Sequence, residues 1–218
     1  MWKNYFNMFK ARGMRLVIEY FLYNHCFDLI NKTDTHLLDD SLYKDSDSSN
    51  EIYMATWAKD IVKATRKLME FLSEDISKFS LIDLGSGKGK ILLVWRKMFP
   101  KAKITGIELD KNLIEICLEN INLMNYSNIN VIASDAAQCK LDPGKKIIAM
   151  NNPFGEDVIK SFFENHIADD IYIIYFNPVM TNCIEKLGFR VLFSHETYRG
   201  GSSFKVFGRN YKKSSQNI

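Results

Sequence analysis

The run Leu81-Ile82-Asp83-Leu84-Gly85-Ser86-Gly87-Lys88-Gly89 most tightly limits what this chain can fold into. A short β-type stretch leads into three glycines spaced by one residue. A helical pattern starts directly after them, covers 90–98 and stops before Pro100. Glycine lets the main chain turn sharply and lets a ligand approach it with no Cβ in the way. The helix that follows offers unpaired N–H groups and the positive end of its dipole. Strand, glycine turn and helix in that order make the start of a βαβ unit. In an open α/β sheet, ligands bind at the carboxyl end of such a strand.

The chain beyond this point repeats the alternation. Strands are predicted at 104–108, 129–132, 147–150 and 171–176. Helices are predicted at 112–124, with apolar Leu113, Ile114, Cys117, Ile121 and Leu123, and after Phe154, with Val158, Phe162 and Phe163 inside. Two last strand-like runs, 189–193 and 204–207, flank Arg199-Gly200-Gly201-Ser202 with no helix between them, which predicts an antiparallel hairpin. The expected fold is therefore α/β: a mostly parallel, seven-stranded twisted sheet with a terminal antiparallel hairpin and helices on both faces. Residues 1–75 are expected to form a helical N-terminal extension that covers the sheet domain, and 76–218 that domain itself.

Within the extension, Trp2, Tyr5, Phe6 and Phe9 fall at helical spacing, as do Leu16, Val17 and Tyr20. Residues 39–50 are rich in Asp and Ser and read as a linker, and a further helix is predicted from about 56 to 73. The aromatic stripe has two readings, a membrane-surface helix with basic neighbours or an arm packed over the domain or a partner subunit.

Composition narrows the function classes. A net charge of +3 over 218 residues makes a nucleic-acid partner unlikely on charge alone. Cys26, Cys117, Cys139 and Cys183 are scattered, with no CxxC pair and no His at ligand spacing, so reduced thiols are expected and a metal site is not. Cys117 and Cys139 read as small core residues. No secretory signal and no apolar run of about 18 residues stands in the sequence, so a cytoplasmic protein with no transmembrane segment is expected.

Spacing decides which ligand the glycine loop suits. A dinucleotide loop needs G-x-G-x-x-G, whereas Gly85, Gly87 and Gly89 give G-x-G-x-G. A phosphate-binding loop needs G-x-x-x-x-G-K followed by Ser or Thr, but Gly89-Lys90 is followed by Ile91. Asp83, two residues before the first glycine, would repel a pyrophosphate and suits the ammonium of an amino-acid moiety instead. Asp-Leu-Gly-Ser-Gly-Lys-Gly resembles motif I of the class I (Rossmann-like) S-adenosylmethionine-dependent methyltransferases, and the resemblance covers roughly 75–210. It implies a methyltransferase that uses S-adenosylmethionine and leaves S-adenosylhomocysteine. Asp83, Gly85, Ser86, Gly87 and Gly89 would then form the cofactor loop. Glu108, with Leu109 beside it, would meet the ribose hydroxyls, a carboxylate being able to accept from a diol. Asp135 and the N–H of Ala136 would read the adenine edge, although Asp135 also suits a turn or cap. Asp110 is expected to cap a helix, and Lys88 to face solvent.

The acceptor side is read from Asn151-Asn152-Pro153-Phe154, after the fourth strand. It is similar to the Asn/Asp-x-Pro-aromatic element of amino-methylating members. There a polar side chain accepts from the target NH₂ and the aromatic ring packs on the acceptor or sulfonium methyl. Met150-Asn-Asn-Pro-Phe-Gly-Glu-Asp-Val158 also resembles a stretch of the non-SET histone-lysine methyltransferases, although Pro153 and Phe154 replace their longer aromatic segment. Phe27-Asp28, Asp34-Thr35 and Ile52-Tyr53-Met54-Ala55-Thr56 resemble small bacterial methyltransferases, with Ala55 where those often carry proline. The resemblance thus implies catalytic roles for Asn151, Pro153, Phe154 and Tyr53, with Asn151 also at the cofactor. Equally, Pro153 suits a helix start, Asn151 a strand end and Tyr53 the core. Methylation of an amine, with a protein lysine among the candidates, is the first expectation. The alternatives are O-methylation of a sugar or small metabolite, and a non-catalytic methyltransferase-like binding subunit.

Overall fold

A computed structural model describes residues 6, 9, 10, 13–36, 56–151, 154–166, 170–197 and 201–209. Tyr53, Asn152 and Pro153, the 39–50 segment, Trp2, Tyr5 and the Arg199-Gly200 part of the hairpin turn lie outside these residues.

The sheet has seven strands: β1 (Ser80–Leu84), β2 (Lys103–Glu108), β3 (Ile129–Ala133), β4 (Lys146–Met150), β5 (Ile171–Phe176), β6 (Arg190–His195) and β7 (Phe204–Gly208). Their spatial order is β3-β2-β1-β4-β5-β7-β6. The first five are parallel, β7 runs antiparallel between β5 and β6, and the predicted hairpin is in place. The order reverses between β1 and β4, which opens a crevice at their carboxyl ends, where the glycine turn stands.

β1, β4 and β5 read as nearly continuous apolar runs because they are covered on both faces. One face carries α3 (Ala58–Leu72), α4 (Lys90–Met98) and α5 (Lys111–Leu123), with Leu68, Leu93, Trp95 and Ile121 packed on Leu81, Ile104, Ile147 and Ile174. The other carries α6 (Glu156–Asn165) and α7 (Thr181–Lys186), with Phe162, Phe163 and Ile184 on Ile82, Leu84, Ile148 and Ile173. Alternate strand residues divide between these two cores, as a period of two requires. Trp95 fits inside because its indole N–H donates to Thr65 Oγ1 at 2.9 Å. The six-residue α7 has no counterpart in the sequence-based expectation.

The extension is helical where described. α1 (Met14–Tyr20) continues through a π-helical turn, Phe21–His25, into α2 (Cys26–Asn31), which ends on Lys32 in the left-handed conformation. The segment that follows α2 packs against the sheet domain, with Asp34 bonded to α5 and to the glycine turn. No helix among the described residues is long and apolar enough to cross a membrane.

Candidate active site

Three strand ends build the site: β1 supplies Asp83, β2 supplies Glu108, and β4 supplies Asn151.

The turn after β1 needs its glycines, since φ is +76° at Gly85, +51° at Gly87 and +86° at Gly89. Gly89 is also crowded, because a Cβ there would lie 2.6 Å from Cys117 Sγ. Burial, then the charges of Asp83 and Glu108, pushes the Cys117 thiol up to about 12, so this cysteine is inert packing. Ser86 turns its hydroxyl inward. A Cβ on Gly106 of β2 would stand 2.7 Å from Ser86 Oγ, so the glycine turn sits on a strand pared back to receive it. The N–H groups of Gly85 and Ser86 donate to the Ile107 carbonyl at 2.9 and 3.0 Å.

Glu108 braces the turn. Its Oε2 accepts from Gly87 N–H at 2.7 Å, and its Oε1 from the N–H groups of Leu109 and Asp110 at 2.9 and 3.0 Å. A carboxylate has about four acceptor directions; these three bonds leave capacity for a further donor. Leu109 is exposed beside it at 68%. Asp110 caps α5, accepting from Asn112 and Leu113 N–H groups. Asp135 accepts from Ala137 N–H at 2.9 Å, capping the single turn Ala136–Gln138, with Ala136 buried beneath.

Asp83 is the electrostatic anomaly. Its side chain is 2% exposed, and among the described residues no hydrogen bond or ion pair reaches its carboxylate. Burial, and second the nearby charge of Glu108, pushes its carboxyl well above the usual range. A buried carboxylate with no counter-charge fits a ligand that brings a cation.

At the carboxyl end of β4, Asn151 Oδ1 accepts from Asn177 Nδ2 at 2.8 Å, which joins the ends of β4 and β5. Asn177 holds φ +45° and donates its N–H to the Ser203 carbonyl. Phe154 is half-buried on the second core. Beyond Asn177 opens a recess of about 370 Å³, lined by Pro178, His195, Glu196, Thr197 and Lys205 among others. Burial, then the Lys63 ammonium 3.1 Å away, holds His195 below the ordinary imidazole range. α3 fastens the rim of this recess. Buried Asp60 Oδ2 accepts from Ser202 N–H at 2.7 Å, and Ser202 Oγ from Trp57 N–H at 3.3 Å. Sequence reading did not anticipate Asp60, Ser202 or His195 here. Each reaches the site through contacts across more than 130 residues, for which no local pattern exists.

Lys88 corrects an expectation. It does not face solvent: its side chain is 2% exposed, and its ammonium donates to Asp34 Oδ2 at 2.9 Å. The reason is Asp34 itself, which the extension delivers to the back of the turn. Asp28 organises that delivery, accepting from Thr33 Oγ1, from Thr35 N–H and Oγ1, and bonding His36 Nδ1 at 2.9 Å. Burial works against the Asp28 charge, but the His36 bond, Lys90 and the two threonines hold its carboxyl below the usual range. Lys90, buried at the start of α4, is pushed down to about 8 by burial, which Asp28 opposes.

Residues 75–169 match the family model described as a methyltransferase domain. Over 52 residues the chain is 38% identical to the tRNA1(Val) (adenine(37)-N6)-methyltransferase of Pseudoalteromonas translucida, covering 24% of this chain and 22% of that one. Over 85 residues it is 29% identical to the release factor glutamine methyltransferase of Fusobacterium nucleatum, covering 38% of this chain and 24% of that one. The matched stretches thus span under a quarter of either curated relative. Among solved structures, a SAM dependent methyltransferase from Aquifex aeolicus superposes with a TM-score of 0.52, at 18% identity, over 69% of this chain and 97% of that one. At that identity the likeness is one of fold.

Proposed function

We propose that this chain, whose residues 75–169 match a family model described as a methyltransferase domain, is a class I enzyme that moves a methyl group from S-adenosylmethionine to an amine nitrogen held at the carboxyl end of β4. The observation that carries this reading is Asp83, a buried carboxylate without a counter-charge at the mouth of the glycine turn. It suits the α-ammonium of the cofactor's amino-acid moiety. Glu108, braced by three main-chain donors, accepts from a ribose hydroxyl. The main chain of residues 85–89 lets the ligand approach with no Cβ in the way. Leu109 covers one face of the adenine, and Asp135 with Ala136 N–H meets its edge.

When bound, S-adenosylmethionine supplies an electrophilic methyl on a sulfonium and departs as S-adenosylhomocysteine. The chain's own residues aim the nucleophile. Asn177 orients the Asn151 amide, and an amide oxygen accepts up to two hydrogen bonds. Accepting an N–H of the target turns its lone pair toward the methyl, which promotes displacement by positioning. Phe154 offers a ring face to the cationic centre. Two further facts support a nitrogen acceptor. One relative's name places its methyl on adenine N6, and the other names a glutamine.

Transfer of tritiated methyl into fractionated cell extract tests this reading. Label is expected in protein or small-amine fractions, reduced at least about 100-fold by Asn151→Ala, the order of loss when a positioning contact goes. Label confined to lipid or glycan fractions would sink the amine acceptor.

A further inference from the structure

Lys88 is the only residue with a side chain between Gly87 and Gly89, both at positive φ. It is clamped at both ends. Its carbonyl accepts from Asn120 Nδ2 at 3.0 Å, and its buried ammonium donates to Asp34 Oδ2 at 2.9 Å. Asn120, 1% exposed on α5, also grips the main chain of Asp34 on both sides. Its Oδ1 accepts from Asp34 N–H and its Nδ2 donates to Asp34 C=O, each at 2.8 Å. Asp34, Lys88 and Asn120 therefore form a closed triangle in which every pair is bonded. Asp28 holds the apex segment in shape through Thr33, Thr35 and His36.

A loop built on glycines at positive φ has unusual conformational freedom, and that freedom is lost when a ligand docks on it. Freezing the loop beforehand removes the ordering cost from binding. We infer that residues 33–36 are a strap that sets the glycine loop in its ligand-ready conformation, with Asp34 and Asn120 acting through Lys88 as positioning residues for the nucleoside–amino-acid ligand. This rests on the reading of residues 83–89 as the cofactor loop. The strap reaches the loop through the Lys88 side chain and through Asn120 of α5, which holds the Lys88 carbonyl. A merely structural tether for the extension could have used Asn120 alone. The bonds to both the carbonyl and the side chain of the one residue between Gly87 and Gly89 make the tether a brace of the loop.

The test uses the full chain as wild type, Asp34→Ala, Lys88→Met and the double variant. S-adenosylhomocysteine binding is measured by calorimetry, and the melting temperature is measured without ligand. Asp34→Ala leaves a buried ammonium uncompensated and endangers folding. Lys88→Met keeps the buried stem without the charge, so one variant survives in any case. Each single variant should weaken binding about tenfold, and the double variant should bind no worse than the weaker single, because one brace is lost in all three. Lys88→Met binding like wild type, with only its melting temperature changed, would overturn the strap, as would losses that add in the double variant. Wild type that does not bind at all would remove the cofactor reading itself, whereas binding wild type with unaffected variants removes the strap alone.

Discussion

Asp83→Asn keeps the shape of the side chain at the end of β1 and removes its charge. Two consequences follow with opposite signs. The ligand's ammonium loses an ionised acceptor, and hydrogen bonds to charged groups contribute about 1.5–3 kcal/mol. The dissociation constant for S-adenosylhomocysteine should therefore rise roughly 10- to 150-fold. The ligand-free protein gains instead. Burial, and then Glu108, raises the Asp83 carboxyl in the folded state, so the native protein binds this proton more tightly than the unfolded chain. Stability is then lost as pH rises from the unfolded value of 3.8 through the folded pKa, and stays at its lower level above it. Asparagine does not titrate. The variant's melting temperature relative to wild type should climb across that window and be higher at pH 8, a comparison in which titrating groups remote from Asp83 cancel. Thermal melts from pH 4 to pH 8 and calorimetry at pH 8 measure both signs. Binding within about twofold of wild type, or a lower melting temperature at pH 8, would rule out this role for Asp83.

Two other substitutions probe the frame around the site. Gly89→Ala places a Cβ 2.6 Å from Cys117 Sγ at φ +86° and should cost about 1–3 kcal/mol in urea unfolding. Adding Cys117→Ala should restore part of this, because Cys117 Cβ stands at an ordinary 3.6 Å, and no recovery would contradict the crowding argument. Asp60→Ala leaves the buried Ser202 N–H without its acceptor, at about 1–3 kcal/mol. Amide exchange at residues 201–204 should accelerate, and unchanged exchange there would show that α3 does not hold the hairpin.

Much of the frame was legible because its signals are local. The alternation of apolar runs with helical periods fixed strands β1 to β5, and the glycines around Arg199-Gly200-Gly201-Ser202 announced the β6–β7 hairpin. Asp110 announced its own helix start, which the structure bears out through bonds to the next two N–H groups but one. α7 escaped notice because six residues barely exceed one and a half turns, too few for a period to register. The site was legible only along its strands. Lys88 reads as a surface residue until Asp34 arrives from 54 positions away. Asp28 stands out in the sequence only as part of a Phe-Asp pair with a family likeness, and its role shows once four bonds converge on it. Asp60 and Ser202 meet across 142 residues. Such pairings depend on how elements stack, and stacking leaves no mark in a window of neighbouring residues.

The central claim is that the cradle of Asp83, the glycine turn and Glu108 takes S-adenosylmethionine and its product. Calorimetric titration of S-adenosylhomocysteine into the full chain, with Glu108→Ala in parallel, tests it most directly. Saturable one-to-one binding to wild type is expected, and none to the variant, which loses a hydroxyl acceptor together with the brace on Gly87, Leu109 and Asp110. No heat with wild type, or the same isotherm with Glu108→Ala, would contradict it.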